Sequence, residues 1–118
     1  MTRTSRSSTA LLAALAACAI APAAPQAATY ASCKPVRDPY PHTRYAGVDL
    51  TRIRELHTTC TTARRVARRA HRKALRLTPP TSGVRHFTWN GWRVTGDLRP
   101  DKDRYIARKG ERRVRWRF

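Results

Sequence analysis

Cys60, Ala63, Ala67, Ala70, Ala74 and Leu77 recur at spacings of three and four residues, with Val66 on the flank. That period commits the stretch to an amphipathic helix packed on something else. Thr58 and Thr59 stand where an N-cap is expected. Thr78-Pro79-Pro80 predicts the stop, because neither proline continues a helix and each restricts the residue before it. The opposite face carries Arg64, Arg65, Arg68, Arg69, Arg72, Lys73 and Arg76 with no carboxylate among them. Like charges meet one helical turn apart at Arg64 and Arg68, Arg65 and Arg69, Arg68 and Arg72, Arg69 and Lys73, and Arg72 and Arg76. Their repulsion costs roughly 1–2.5 kcal/mol at low salt. A helix selected for stability alone would not carry that cost.

The N-terminus has a different character. Arg3 and Arg6 precede an apolar run from Thr9 to Ala21, and small residues with Pro22 and Pro25 follow. The run is too short for a membrane anchor and has the composition of a secretory signal. Residues 1–28 are therefore read as a signal peptide, with cleavage between Ala24 and Ala31, and residues 29–118 as one small domain. A second reading stays open: Leu15-Ala-Ala-Cys18 has the form of a lipobox, in which Cys18 would be lipidated and tether the chain at the cell surface.

Some 90 remaining residues suffice for one domain with a small core. The formal charge is +18, and Arg3 and Arg6 are the only charged groups the leader would take away. A field of that sign attracts polyanions, either cell-wall polymer or nucleic acid bound without sequence preference. Arginine so outnumbers lysine that compositional bias is a second source of the charge, and the two explanations are compatible. Outside the leader only Cys33 and Cys60 remain. In an oxidising compartment an even pair predicts a disulfide, which would close a loop of about 28 residues and remove roughly 3.6 kcal/mol of unfolded-state entropy. A metal site is disfavoured, since the two cysteines have no close-spaced cysteine or histidine partners. No cofactor motif is present.

From Tyr30 to Gly47, prolines and tyrosines predict an irregular or edge segment held through Cys33, with room for one short strand. Val48, Leu50, Ile53 and Leu56 suit a short strand only if a bulge breaks the alternation. Asn90-Gly91 sits between Val84-Arg-His-Phe-Thr-Trp89 and Trp92-Arg-Val-Thr-Gly96, the signature of a hairpin with a two-residue turn. That register pairs Trp89 with Trp92 and Phe87 with Val94, leaving His86, Thr88 and Arg93 on the other face. Asp97 to Asp103 reads as a polar loop. A second hairpin turns at Lys109-Gly110-Glu111, after which Val114, Trp116 and Phe118 alternate with Arg113, Arg115 and Arg117. The expected fold is α+β: one main helix on an antiparallel sheet of about four strands, with Cys60 turned inward toward Cys33.

The segments Cys60-Thr-Thr-Ala-Arg-Arg-Val-Ala67, Gly91-Trp-Arg-Val94 and Arg108-Lys-Gly-Glu-Arg-Arg-Val-Arg-Trp116 together resemble a group of small secreted proteins of unknown function common in actinobacteria. The resemblance spans most of the chain beyond the leader. It implies the fold and the compartment and supplies no catalytic residues. The group usually carries a second cysteine pair near the positions of Val94 and Lys109, which this chain lacks.

Three functional classes follow. The cations of the helix and Arg113, Arg115 and Arg117 are expected to form one cationic surface and propose a non-enzymatic binding module for anionic polymer or the cell envelope. Trp89, Trp92 and Trp116 fall at core-facing positions, which disfavours stacking on nucleobases. A secreted ribonuclease-like hydrolase would need a base such as Glu55, an acid such as His86 or His57, and Arg93 as a clamp. The histidines have no spacing that brings them together. A protein-binding or inhibitor module would use the Asp97–Asp103 loop, though no residue there singles out a partner. The alanine-rich face is too shallow for firm membrane insertion, and no span is expected.

Overall fold

The computed structural model describes residues 28–78 and 83–118. Residues 1–27, with Cys18 and nearly all of the expected signal peptide, and the Pro79-Pro80 stop lie outside the described residues. Six strands and one helix follow in the order β1 (Ala31–Ser32), β2 (Thr51–Leu56), α1 (Cys60–Arg76), β3 (Val84–Trp89), β4 (Trp92–Asp97), β5 (Arg104–Lys109) and β6 (Arg112–Arg117). The strands form one antiparallel sheet in the order β1-β2-β6-β5-β4-β3. The α+β class holds, but the sheet has six strands rather than about four. The two hairpins supply four, and β2 and β1 extend the sheet beyond β6.

The helix begins where Thr59, in extended conformation, accepts a hydrogen bond from the Thr62 backbone N–H at its hydroxyl. Just before it, the Glu55 carboxylate accepts the Thr58 N–H at 3.1 Å and fixes the turn out of β2. The helix ends at Arg76, with the Leu77 N–H donating to the Ala74 carbonyl. Lys73 and Arg76 occupy the last turn, the end where the helix dipole favours positive charge. Ala63, Val66, Ala67, Ala70, His71 and Ala74 form the buried face. Short alanines let the helix lie close to the sheet, and Trp116, Tyr105 and Trp92 fill the intervening space from the sheet side.

The bulge expected near β2 is present. Thr51 pairs with Arg117 and Arg54 with Arg115, so the ladder slips by one residue between them, and Arg52 takes a φ of 51°. This irregularity buries both Leu50 and Ile53 completely although they stand three residues apart. Asn90 and Gly91 both have positive φ, as the two-residue turn requires, and the register pairs Trp89 with Trp92 and Phe87 with Val94 as expected. The second hairpin turns through Gly110 and Glu111, because Lys109 is already paired with Arg112. Asp97 belongs to β4, which shortens the expected loop. Gly96 faces Tyr105 across β4 and β5, and a Cβ there would lie 2.5 Å from the ring, so glycine makes room for Tyr105 to stack on Trp116 at 5.3 Å.

Cys33 and Cys60 are bridged, with Cα atoms 5.4 Å apart. The bridge ties the first residue of the helix to the chain just beyond β1, and Cys33 also donates its N–H to the Ile53 carbonyl at 2.8 Å. Farther along, Val36 and Leu50 exchange backbone hydrogen bonds of 3.0 and 2.9 Å. The segment between them brings Tyr40 onto the helix, where its hydroxyl meets His71 Nδ1 at 2.7 Å. His71 is fully buried against the rings of Phe118 at 4.2 Å and Tyr105 at 5.1 Å.

Candidate anion-binding surfaces

The helix packs on β2, β6 and β3, so one face of the sheet is core. Ile53, Trp92, Val94, Tyr105, Ala107, Val114 and Trp116 supply that face. Strand geometry sends alternate residues to opposite sides, so the residues between them point away from the helix. On β6 these are Arg113, Arg115 and Arg117, the residues the alternation singled out. The register sets others beside them. Arg93, Arg108 and Arg113 stand directly opposite one another across three strands, Arg104 is opposite Arg117, and Arg54 is opposite Arg115.

Neighbouring strands lie about 4.8 Å apart, and like charges directly opposite destabilise a sheet by roughly 0.2–1 kcal/mol per pair. Within the face, the Arg113 guanidinium donates to the Gly110 and Arg112 carbonyls, and little else offsets this. Asp97 is its one acid, and Arg99 holds that carboxylate at 2.8 Å in an exposed ion pair, the only one among the described residues. Arg115 lies 4.4 Å from the centre of the Tyr30 ring, a cation–π contact that orients the guanidinium without neutralising it. Between the arginines is a hollow of about 360 Å³, with Ile106 and Thr95 beside Arg54, Arg104, Arg108 and Arg115.

On the other side of the molecule, Arg64, Arg65, Arg68, Arg69, Arg72, Lys73 and Arg76 are all exposed along the outer surface of α1. Lys73 donates to the Thr88 carbonyl at 2.5 Å, and Arg64 reaches the Pro35 carbonyl at 3.4 Å. A hollow of about 500 Å³ lies among Arg68, Arg69, Arg72, Lys73 and Arg76, with Trp89 in its wall. Trp92 and Trp116 are buried as expected, whereas Trp89 is only half-buried.

The ten candidate cations therefore do not form one surface. The helix lies between its own arginines and the core, and the sheet lies between the core and Arg113, Arg115 and Arg117, so the two sets face opposite ways. Arg54, Arg93, Arg104 and Arg108 complete the sheet set. Arg104 and Arg108 alternate with Tyr105 and Ala107, a signal present in the sequence but obscured by Ile106 in the outward series.

The groups required for hydrolysis are dispersed. Glu55 on β2 and His86 on β3 are separated by β6, β5 and β4, a distance of about 19 Å at ordinary strand spacing. Glu55 is engaged at the helix start, and His86 contacts Thr95 at 3.3 Å. His57 lies in the turn between β2 and α1 with a φ of 56°. Arg93 shares a hollow with His86, whose other lining residues include no carboxylate. Among the described residues, no three His, Cys, Asp or Glu side chains gather as a metal site would require. No helix among them is long and apolar enough to cross a membrane. Comparison with protein families, curated proteins and solved structures finds no match to this chain.

Proposed function

We propose that this chain is a secreted, non-enzymatic module that binds an anionic phosphodiester polymer of the cell envelope. The observation that carries this reading is the uncompensated ladder of arginines on the open sheet face, Arg93–Arg108–Arg113 with Arg104–Arg117 and Arg54–Arg115. A row of arginines rooted at strand spacing repels itself in the free protein, and a chain of phosphates laid across it removes that repulsion. Guanidinium suits the task because its planar fork bonds two phosphate oxygens at once. An envelope polymer is favoured over nucleic acid because the open face offers bases little to stack on: of the two rings beside its arginines, Tyr30 already lies against Arg115 and His86 is a small imidazole in contact with Thr95. The bridged cysteine pair is compatible with an extracellular location.

Binding of this kind weakens with salt, because each neutralised phosphate releases counterions. The affinity for poly(glycerol phosphate), measured by fluorescence anisotropy, is expected to fall at least tenfold between about 50 and 200 mM salt. Neutralising Arg113, Arg115 and Arg117 together to glutamine should reduce the slope of log affinity against log salt by about 2, at roughly 0.7 per contact on a flexible strand. An affinity that does not change with salt refutes the electrostatic mechanism. Tight binding to single-stranded DNA without binding to poly(glycerol phosphate) refutes the choice of polymer.

A further inference from the structure

Resting on that reading, we infer that the protein is a bridge: the helix face holds one strand of envelope phosphodiester polymer and the open sheet face a second. The inference comes from the orientation of the two cationic sets. Arg68, Arg69, Arg72 and Arg76 project from the outside of α1, whereas Arg108, Arg113, Arg115 and Arg117 project from the side of the sheet that α1 does not touch. Between them lies the closed core of Ala63, Ala67, Ala70, Val114, Trp116 and Ile53, all buried.

Packed layers of secondary structure are about 10 Å apart, and arginine side chains extend several ångströms beyond each layer. The two sets of guanidinium groups are thus separated by more than the Debye length, about 8 Å at physiological ionic strength. Phosphates on one face do not neutralise the charges on the other, so occupation of one leaves the other attractive. A basic protein with a single binding face coats a polymer. Two opposed faces hold two strands together, and many such molecules cross-link a polymer layer.

The test mixes the full chain with two populations of poly(glycerol phosphate), one labelled with a donor fluorophore and the other with an acceptor, at limiting protein. Wild-type protein is expected to give energy transfer between the populations. Arg113→Gln with Arg115→Gln and Arg117→Gln should still bind by anisotropy but lose most of the transfer, about tenfold. Arg68→Gln with Arg69→Gln and Arg72→Gln should behave in the same way. A control losing the same charge across both faces, Arg65→Gln, Arg76→Gln and Arg115→Gln, should keep most of it. If the single-face variants bridge as well as this control, the transfer reflects charge neutralisation and the inference fails. Wild-type binding without transfer also overturns it, since the polymer would then occupy one face or wrap around the molecule. Absence of binding by any of the proteins refutes the proposed function itself and is distinguished by the anisotropy.

Discussion

Removal of the Cys33–Cys60 bridge, through Cys33→Ala together with Cys60→Ala, is expected to lower the unfolding free energy by about 3.6 kcal/mol, the loop-closure entropy of about 28 residues. The effect is large because other attachments at this end of the fold are few. β1 has two residues paired with β2, and the chain beyond Cys33 is held by its own N–H to Ile53 and by the Val36 and Leu50 exchange. The helix start loses its covalent link to that segment and keeps the Thr59 cap and the Glu55 contact. For a domain of this size the urea midpoint should fall by about 2–4 M, given a slope near 1–2 kcal/mol/M. Equal midpoints for the bridged protein and the double variant would show that the bridge contributes nothing to stability.

Acidification is expected to have an effect of similar size through His71. Burial, reinforced by the nearby Arg85 charge, pushes the His71 pKa down from 6.5 to about 3. The sign follows from proton binding. Between about pH 6.5 and pH 3 the unfolded chain binds a proton at this site that the folded chain does not, so acid favours unfolding. Stability unaffected by His71 above pH 6.5 falls through this window by about 4–5 kcal/mol in total and changes little further below it. Asp103 acts in the opposite sense, because desolvation holds its carboxyl up and its protonation favours the fold. Unfolding free energies measured at pH 7, 5 and 4 should fall steeply for wild type and much less for His71→Leu. The variant loses the Tyr40 contact and will be less stable at pH 7, so the pH slope is the informative readout. Equal slopes in the two proteins would contradict the assignment.

How much of this was legible in the sequence depended on whether a feature left a periodic trace. The alanine stripe and the Val114–Phe118 alternation each repeat over several residues, and Asn90-Gly91 is a turn signature complete in two; the helix, the core face of β6 and the first hairpin follow them. Cys33 and Cys60 were the only cysteines after Cys18 in the expected leader, so their pairing needed no geometry. β1 was legible only as room for one short strand between Tyr30 and Gly47, because two residues joined by backbone bonds carry no side-chain pattern, and with β2 resting on a broken alternation the sheet was underestimated. His71 stands four residues after Ala67 and three before Ala74, on the buried stripe, but the rings that enclose it, Tyr40, Tyr105 and Phe118, come from distant parts of the chain. The buried Arg85, which donates to the Ala74 carbonyl at the end of the helix, is likewise a tertiary feature.

The candidate site was legible residue by residue but not as a shape. Arginine periodicity within α1 and within β6 identified both sets of cations. Nothing in one dimension states whether two such sets coincide. The sheet order decided it, by placing α1 on one face of β6 and leaving Arg113, Arg115 and Arg117 on the other. The same register added Arg54, Arg93, Arg104 and Arg108.

Two opposed and independent cationic faces are the centre of this account, and the stoichiometry of a short ligand tests them most directly. Isothermal titration with a phosphodiester oligomer only a few units long, too short to pass around the molecule, should give two oligomers per chain at about 0.1–0.15 M salt, where the Debye length is about 8–10 Å. The glutamine triple variants of β6 and of the helix should each give one, with the remaining site unchanged in affinity. One oligomer per wild-type chain, or a single-face variant that weakens both sites equally, would contradict the account.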